Sequence, residues 1–258
     1  MRPKFAVAIF VLFLAALPLS AQKWEVYDNF KGPLLDPNLW RGSQSDGNAL
    51  EFVRQIQNGS LLLGLRSFGY THVDDGEQSI QNYLAMPQPA GTIGLGAKLT
   101  VTRAMANYCP LRGPEKAPGS FALSAVFFNS GSGSQPDDII ADLWINLPPN
   151  GQPLTFDGYV HDSRENFGQV HLGDIKIGEP INVWIRWDQA AKQIIFGLHH
   201  LWTKQPPLEQ SVEYGLPDTT PPAGPVRVVL IQTLPQNCQH IQVYSDMIVK
   251  VNQVTVLR

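Results

Sequence analysis

Asp138, Asp142, Trp144 and Asn146 fall at even spacing in the run DIIADLWINL, and residues two apart on an extended strand share a face. Two carboxylates, an indole and an amide on one face are suited to a ligand site. An indole stacks on the C–H surface of a sugar ring, while amide and carboxylate groups fix hydroxyls in direction. Paired carboxylates are also what acid–base chemistry uses. The plainer alternative is a solvated strand face with an incidental Trp, since single exposed aromatics are common.

The element that must carry these residues is a strand, because Ile139, Ala141, Leu143 and Ile145 fill the alternate positions and form a core face. Before it runs SFALSAVFFN, a β-branched and aromatic stretch, joined to it by SGSGSQPDD. Two such runs linked by Gly, Ser, Pro and Asp predict a hairpin with a long loop. A second clear alternation is INVWIRWDQ, with Ile181, Val183, Ile185 and Trp187 on one side and Asn182, Trp184, Arg186 and Asp188 on the other. Trp184 and Arg186 are therefore candidate neighbours of Asp142, Trp144 and Asn146 in a ligand-binding face.

The remaining chain reads as many short strands: WEVYD, NALEFVRQIQ, LLLGLRS, SIQNYLAM, TIGLGAKLTVTRAM, PLTFDGYVHD, FGQVHLGDIKI, KQIIFGLHH, VRVVLIQTL and IQVYSDMIVKVNQVTVLR. Asn58-Gly59 predicts a tight hairpin turn, because both residues tolerate positive φ. Asn58-Gly59-Ser60 also fits a glycosylation sequon, but the turn alone accounts for Asn-Gly. Beyond the N-terminus no stretch repeats apolar residues at helical spacing. With 22 Gly and 21 Pro spread over 258 residues, the expectation is a single all-β domain, a sandwich or barrel.

Residues 1–21 carry Arg2 and Lys4, an apolar run from Phe5 to Leu17, and Leu19-Ser20-Ala21. This has the form of a secretory signal peptide, so the mature domain is expected at 22–258, extracellular or periplasmic, with no membrane insertion after cleavage. Net charge is −3 and no Lys/Arg cluster follows the leader, which argues against a nucleic-acid partner. Cys109 and Cys238 are the only thiols, and an even count in an exported chain predicts a disulfide; two unpaired buried thiols are the alternative. His72, Asp74, Asp75 and Glu77 crowd one loop, for which a hydrated acidic turn is the expectation over a metal site. His199 and His200 are adjacent at a strand end and face opposite sides.

Several pieces in order resemble the concanavalin A-like lectin/glucanase superfamily. DNF…LLDPNLW followed by VRQIQNGSLLLGLRS is similar to its opening Phe…Leu-Asp…Trp segment and Asn-Gly hairpin. INVWIRWDQAAKQIIFGL is similar to its Trp-Asp, turn, aromatic-strand unit, and YSDMIVKVNQVTVLR to its closing strand. The resemblance spans nearly the whole mature chain. It implies a two-sheet antiparallel jelly-roll sandwich whose concave face commonly binds a glycan, and a weak structural-calcium expectation at Asp28 and Asp246; no other cofactor is implied.

Its laminarinase-type hydrolases carry Glu-x-Asp-x-(x)-Glu on a concave-face strand, and the matching stretch here is Asp138-Ile139-Ile140-Ala141-Asp142. Both Glu positions are Asp and the central Asp position is Ile140. Retaining chemistry needs carboxyl groups about 5–5.5 Å apart. Positions i and i+4 of a strand lie roughly 13 Å apart at the backbone, and Asp reaches inward less than Glu. The catalytic pattern is thus not retained. The leading expectation is a secreted, non-catalytic domain recognising a poly- or oligosaccharide. A polysaccharide-degrading hydrolase or lyase with a rearranged site and a structural or interaction module of the cell envelope are the alternatives.

Overall fold

A computed structural model of the chain describes residues 22–44, 50–69, 80–87, 91–106, 119–127, 138–147, 153–162, 164–215, 227–233 and 243–258. They form strands β1 (Trp24–Asp28), β2 (Arg41–Gln44), β3 (Leu50–Gln57), β4 (Ser60–Gly69), β5 (Ile80–Ala85), β6 (Gly94–Ala106), β7 (Gly119–Phe127) and β8 (Ile139–Leu147). They continue as β9 (Leu154–His161), β10 (Asn166–Ile175), β11 (Pro180–Asp188), β12 (Gln193–His200), β13 (Leu208–Glu213), β14 (Arg227–Thr233) and β15 (Val243–Leu257).

One sheet runs β13-β12-β11-β6-β15-β4-β3, with β1 added on β15; the other runs β10-β9-β8-β7-β14-β5-β2. Every pairing between these strands is antiparallel. The all-β, two-sheet antiparallel sandwich expected from the sequence is thus the architecture. The β7–β8 hairpin pairs Phe121 with Ile145 and Leu123 with Leu143, the register that the alternation implies. Asn58 and Gly59 both have positive φ, 51° and 68°, and form the β3–β4 turn.

The core lies between the sheets. Ile181, Val183, Ile185 and Trp187 of β11 and Leu154, Phe156 and Val160 of β9 are all buried. Phe121, Phe156 and Phe196 are among the largest fully buried side chains, each worth about 1.5–3 kcal/mol relative to exposure. Gly158 is what lets the sheets close at one point, because a Cβ there would sit 2.6 Å from ring carbons of Phe196 on the opposite sheet. Elsewhere the sheets are joined by a polar contact. Fully buried Asn82 of β5 donates to the carbonyls of Val53 (3.0 Å) and Gly64 (2.8 Å) and accepts from Arg54 Nη2 at 2.6 Å. Leaving such groups unpaired in the interior would cost about 1–3 kcal/mol each.

The opening segment is fastened by Asp28, whose Oδ1 accepts from the Phe30 amide and whose Oδ2 accepts from Trp40 Nε1, both at 2.7 Å. Phe30 stacks on Trp40, with ring centroids 6.0 Å apart. Asp246, buried on β15, is held by Arg103 Nε at 2.6 Å and Arg66 Nε at 3.4 Å. Asp28 pairs instead beside Val254, eight positions along β15, so the two carboxylates lie on the order of 25 Å apart.

Candidate functional site

The outer face of the seven-stranded sheet carries the candidate site. Opposite Asp142, Trp144 and Asn146 of β8, the register places Tyr159, Asp157 and Thr155 of β9 on one side, with His161 opposite Ile140. Ser124, Ala122 and Ser120 of β7 stand opposite the same three β8 residues on the other side. β10 adds Gln169 beside Tyr159 and His171 beside Asp157. The indole of Trp144, half-buried, therefore stands beside small side chains on β7 and a row of polar ones on β9.

Two carboxylates are each set by a histidine. Asp157 Oδ2 accepts from Asn146 Nδ2 and Thr155 Oγ1, both at 2.9 Å, and its Oδ1 lies 2.8 Å from His171 Nδ1. Asp142 Oδ2 lies 3.2 Å from His161 Nε2, while the other His161 nitrogen, Nδ1, lies 3.2 Å from the carbonyl of Asp162. Asp142 is only 8% exposed, and its buried Oδ1 has no hydrogen-bond partner among the described residues. The hydrogen bond to Asp142 raises the His161 pKa, against the opposing effect of burial and with help from the Asp142 charge. Burial, and then the Asp157 charge, raise that of the Tyr159 phenol.

Of the five residues proposed from sequence, Asp142, Trp144 and Asn146 share this face, but Trp184 and Arg186 do not. β11 belongs to the eight-stranded sheet, and because Val183, Ile185 and Trp187 fill the core, Trp184 and Arg186 project from the far side of the molecule. The Trp184 indole lies on Gly197 of β12, where a Cβ would come within 1.8 Å of ring carbon Cε2, and donates from Nε1 to Glu209 at 3.0 Å. It covers a glycine in its own sheet and is no neighbour of Trp144. In the hydrolase-like stretch Asp138 is wholly buried and Ile140 is 8% exposed. His200 Nδ1 is engaged by Glu179 at 2.7 Å.

Asp157, Tyr159, His161 and His171 are the members that the sequence reading missed. Their signal was present: Thr155, Asp157, Tyr159 and His161 alternate with Leu154, Phe156, Gly158 and Val160 in PLTFDGYVHD. The adjacency of that strand to β8 was not. The leader, the His72–Glu77 loop, Cys109 and Cys238 lie outside the described residues. Among the described residues, no group of three or more His, Cys, Asp or Glu side chains is placed to hold a metal ion, and no helix is long and apolar enough to cross a membrane.

Fold and site together define an antiparallel β-sandwich with a polar and aromatic patch on one outer face. No family model and no curated protein matches the sequence. Among solved structures, the chain is similar to lectin II from Ulex europaeus at 12% identity and TM-score 0.43, covering 91% of this chain and 98% of that one. It is similar to winged bean acidic lectin complexed with methyl-alpha-D-galactose at 14% identity and TM-score 0.46, covering 92% and 99%. It is also similar to a candidate beta-glucanase from Mycobacterium abscessus at 12% identity and TM-score 0.49, covering 91% and 98%. Likeness at this level is one of fold.

Proposed function

We propose that the outer face of the seven-stranded sheet recognises a poly- or oligosaccharide without cleaving it, and that the protein acts after export. The observation that carries this reading is the setting of Trp144. A half-buried indole is flanked along its own strand by Asp142 and Asn146 and across the ladder by Asp157, whose carboxylate has three partners. Aromatic area beside pre-oriented polar groups suits a sugar, because little side-chain freedom remains to be lost on binding. Export rests on the leader-like first 21 residues, and with export we propose a Cys109–Cys238 disulfide.

Against hydrolysis through the family-like stretch stand the complete burial of Asp138 and the apolar Ile140 between the two Asp residues. One observation favours a second reading, a degrading enzyme with a rearranged site. Asp142 and Asp157 are diagonal neighbours on adjacent strands, a relation that spaces residues about 7–8 Å apart. Inverting glycosidases hold their carboxyl groups about 6.5–9.5 Å apart. Three donors on Asp157 weigh against its acting as a base.

The test compares Trp144→Ala with Trp187→Ala, a core indole that donates to Tyr214 Oη at 2.6 Å. Retention in affinity gels containing soluble β-glucans or galactans, and thermal melting, are followed for both. Trp187→Ala is expected to lose about 3–5 kcal/mol of stability. Trp144→Ala is expected to lose far less while abolishing retention. A core-sized stability loss in Trp144→Ala, with no glycan retained by the parent protein, would count decisively against this reading.

A further inference from the structure

His161 sits between two acceptors. Its Nε2 lies 3.2 Å from Asp142 Oδ2 and its Nδ1 lies 3.2 Å from the Asp162 carbonyl oxygen. A neutral imidazole has one N–H and one lone pair, so either tautomer satisfies one neighbour and turns a lone pair on the other. Only the imidazolium donates to both. Among the described residues His161 is also the only donor to Asp142, whose Oδ1 is buried with no hydrogen-bond partner. The proton on His161 therefore decides whether a nearly buried carboxylate faces a cation or, at most, a neutral donor that has given up its other contact.

The titratable and charged groups around His161 reinforce this from each side. β8 brings Asp142 and, one turn of the pleat beyond Ile140, buried Asp138. The turn after β9 brings Asp162, whose carboxylate is engaged by the amides of Arg164 and Glu165 at 2.7 Å and by Arg164 Nη2 at 3.2 Å, so that this guanidinium is directed to Asp162. β9 itself carries Tyr159 and Asp157, and β10 places uncharged Asn166 opposite His161.

Resting on the glycan reading of this face, we infer that sugar binding there is gated by the proton on His161: the site is competent while His161 is imidazolium and weakens as the pH rises and the proton leaves. A ligand lying over Trp144 removes water from the adjacent Asp142. Sealing a paired carboxylate from water costs far less than sealing an unpaired one, which is strongly unfavourable in a low-dielectric setting. A neutral His161 must also abandon one of its two contacts: either Asp142 loses its donor, or it keeps an uncharged donor and loses the opposing charge.

The experiment has two arms on the full secreted chain. In the first, the His161 ring resonances are titrated by NMR without ligand, in the parent and in Asp142→Asn. The pKa is expected above the ordinary histidine value and falls back in the variant; an ordinary value in the parent overturns the inference. In the second, retention by a soluble β-glucan and by a galactan is measured from about pH 5 to pH 9, the range that spans histidine titration. If only the protonated state binds, apparent affinity falls about tenfold per pH unit above the His161 pKa, and His161→Gln, whose amide can donate to Asp142 without titrating, removes that slope. Binding by the parent that is flat with pH overturns the inference and leaves the glycan reading standing. A slope that survives in His161→Gln also overturns it and points to His171. No retention at any pH overturns the glycan reading, and the inference falls with it.

Discussion

Trp144 and Trp184 stand on the outer faces of opposite sheets, with the whole core of the sandwich between them. Their strands have the same alternating pattern, yet one indole lies among fixed polar groups and the other is laid on a glycine. Different consequences of mutation follow for each.

For Trp184, the expected role is to cover Gly197. Gly197→Ala would drive a methyl group into the indole, whose atom Cε2 is 1.8 Å from the ideal Cβ position. The ring must leave its place and the Glu209 hydrogen bond with it, so a loss of about 1–3 kcal/mol is expected, in the range of overpacking. Urea denaturation measures this, and sugar retention should be unaffected. A neutral Gly197→Ala would mean that the indole is not held there.

Stability should depend on pH through His161. Its folded-state pKa is raised, chiefly by the hydrogen bond to Asp142, above the unfolded value of about 6.5. For a raised pKa the folded state holds its proton more tightly, so the stabilisation is fully present below about pH 6.5 and is lost as the pH rises through the higher folded value. Denaturation midpoints at successive pH values should therefore decline across that window in the parent and not in His161→Gln. A midpoint that climbs with pH there, in the parent alone, would contradict the assignment.

No hydrolysis of β-glucans or galactans is expected from the unmodified protein, because Asp138 is wholly buried and Asp157 has three partners. Reducing-sugar release would be followed over long incubations. Robust release that disappears in both Asp142→Asn and Asp157→Asn would establish the diagonal pair as catalytic and reverse the proposal of recognition without cleavage.

On the proposed export of the chain, Cys109 and Cys238 are expected to be joined. A loop on the order of 130 residues closed by a disulfide gains up to about 5 kcal/mol in the chain-entropy treatment, less any native strain. Intact mass after alkylation, with and without reductant, reports the pairing. Two alkylated thiols in the unreduced sample would refute it.

Much of this protein was legible locally. Alternation at period two is a property of consecutive residues, so it revealed that Ile139, Ala141, Leu143 and Ile145 face inward and Asp142, Trp144 and Asn146 outward, and Asn58-Gly59 announced its own turn. The short strands Arg41–Gln44 and Leu208–Glu213 escaped notice, because RGSQ and LEQSVE carry little apolar signal and lie at sheet edges. Tertiary structure decided which sheet each outward face belongs to. Alternation says only that a side chain points away from the core, and a sandwich has two such directions. It also decided that β9 lies beside β8, bringing His161 to Asp142 and Asp157 to Asn146 across 19 and 11 residues of chain. Strand order and register arise from how two sheets bury their shared core, a condition on the whole chain that no single stretch of it contains.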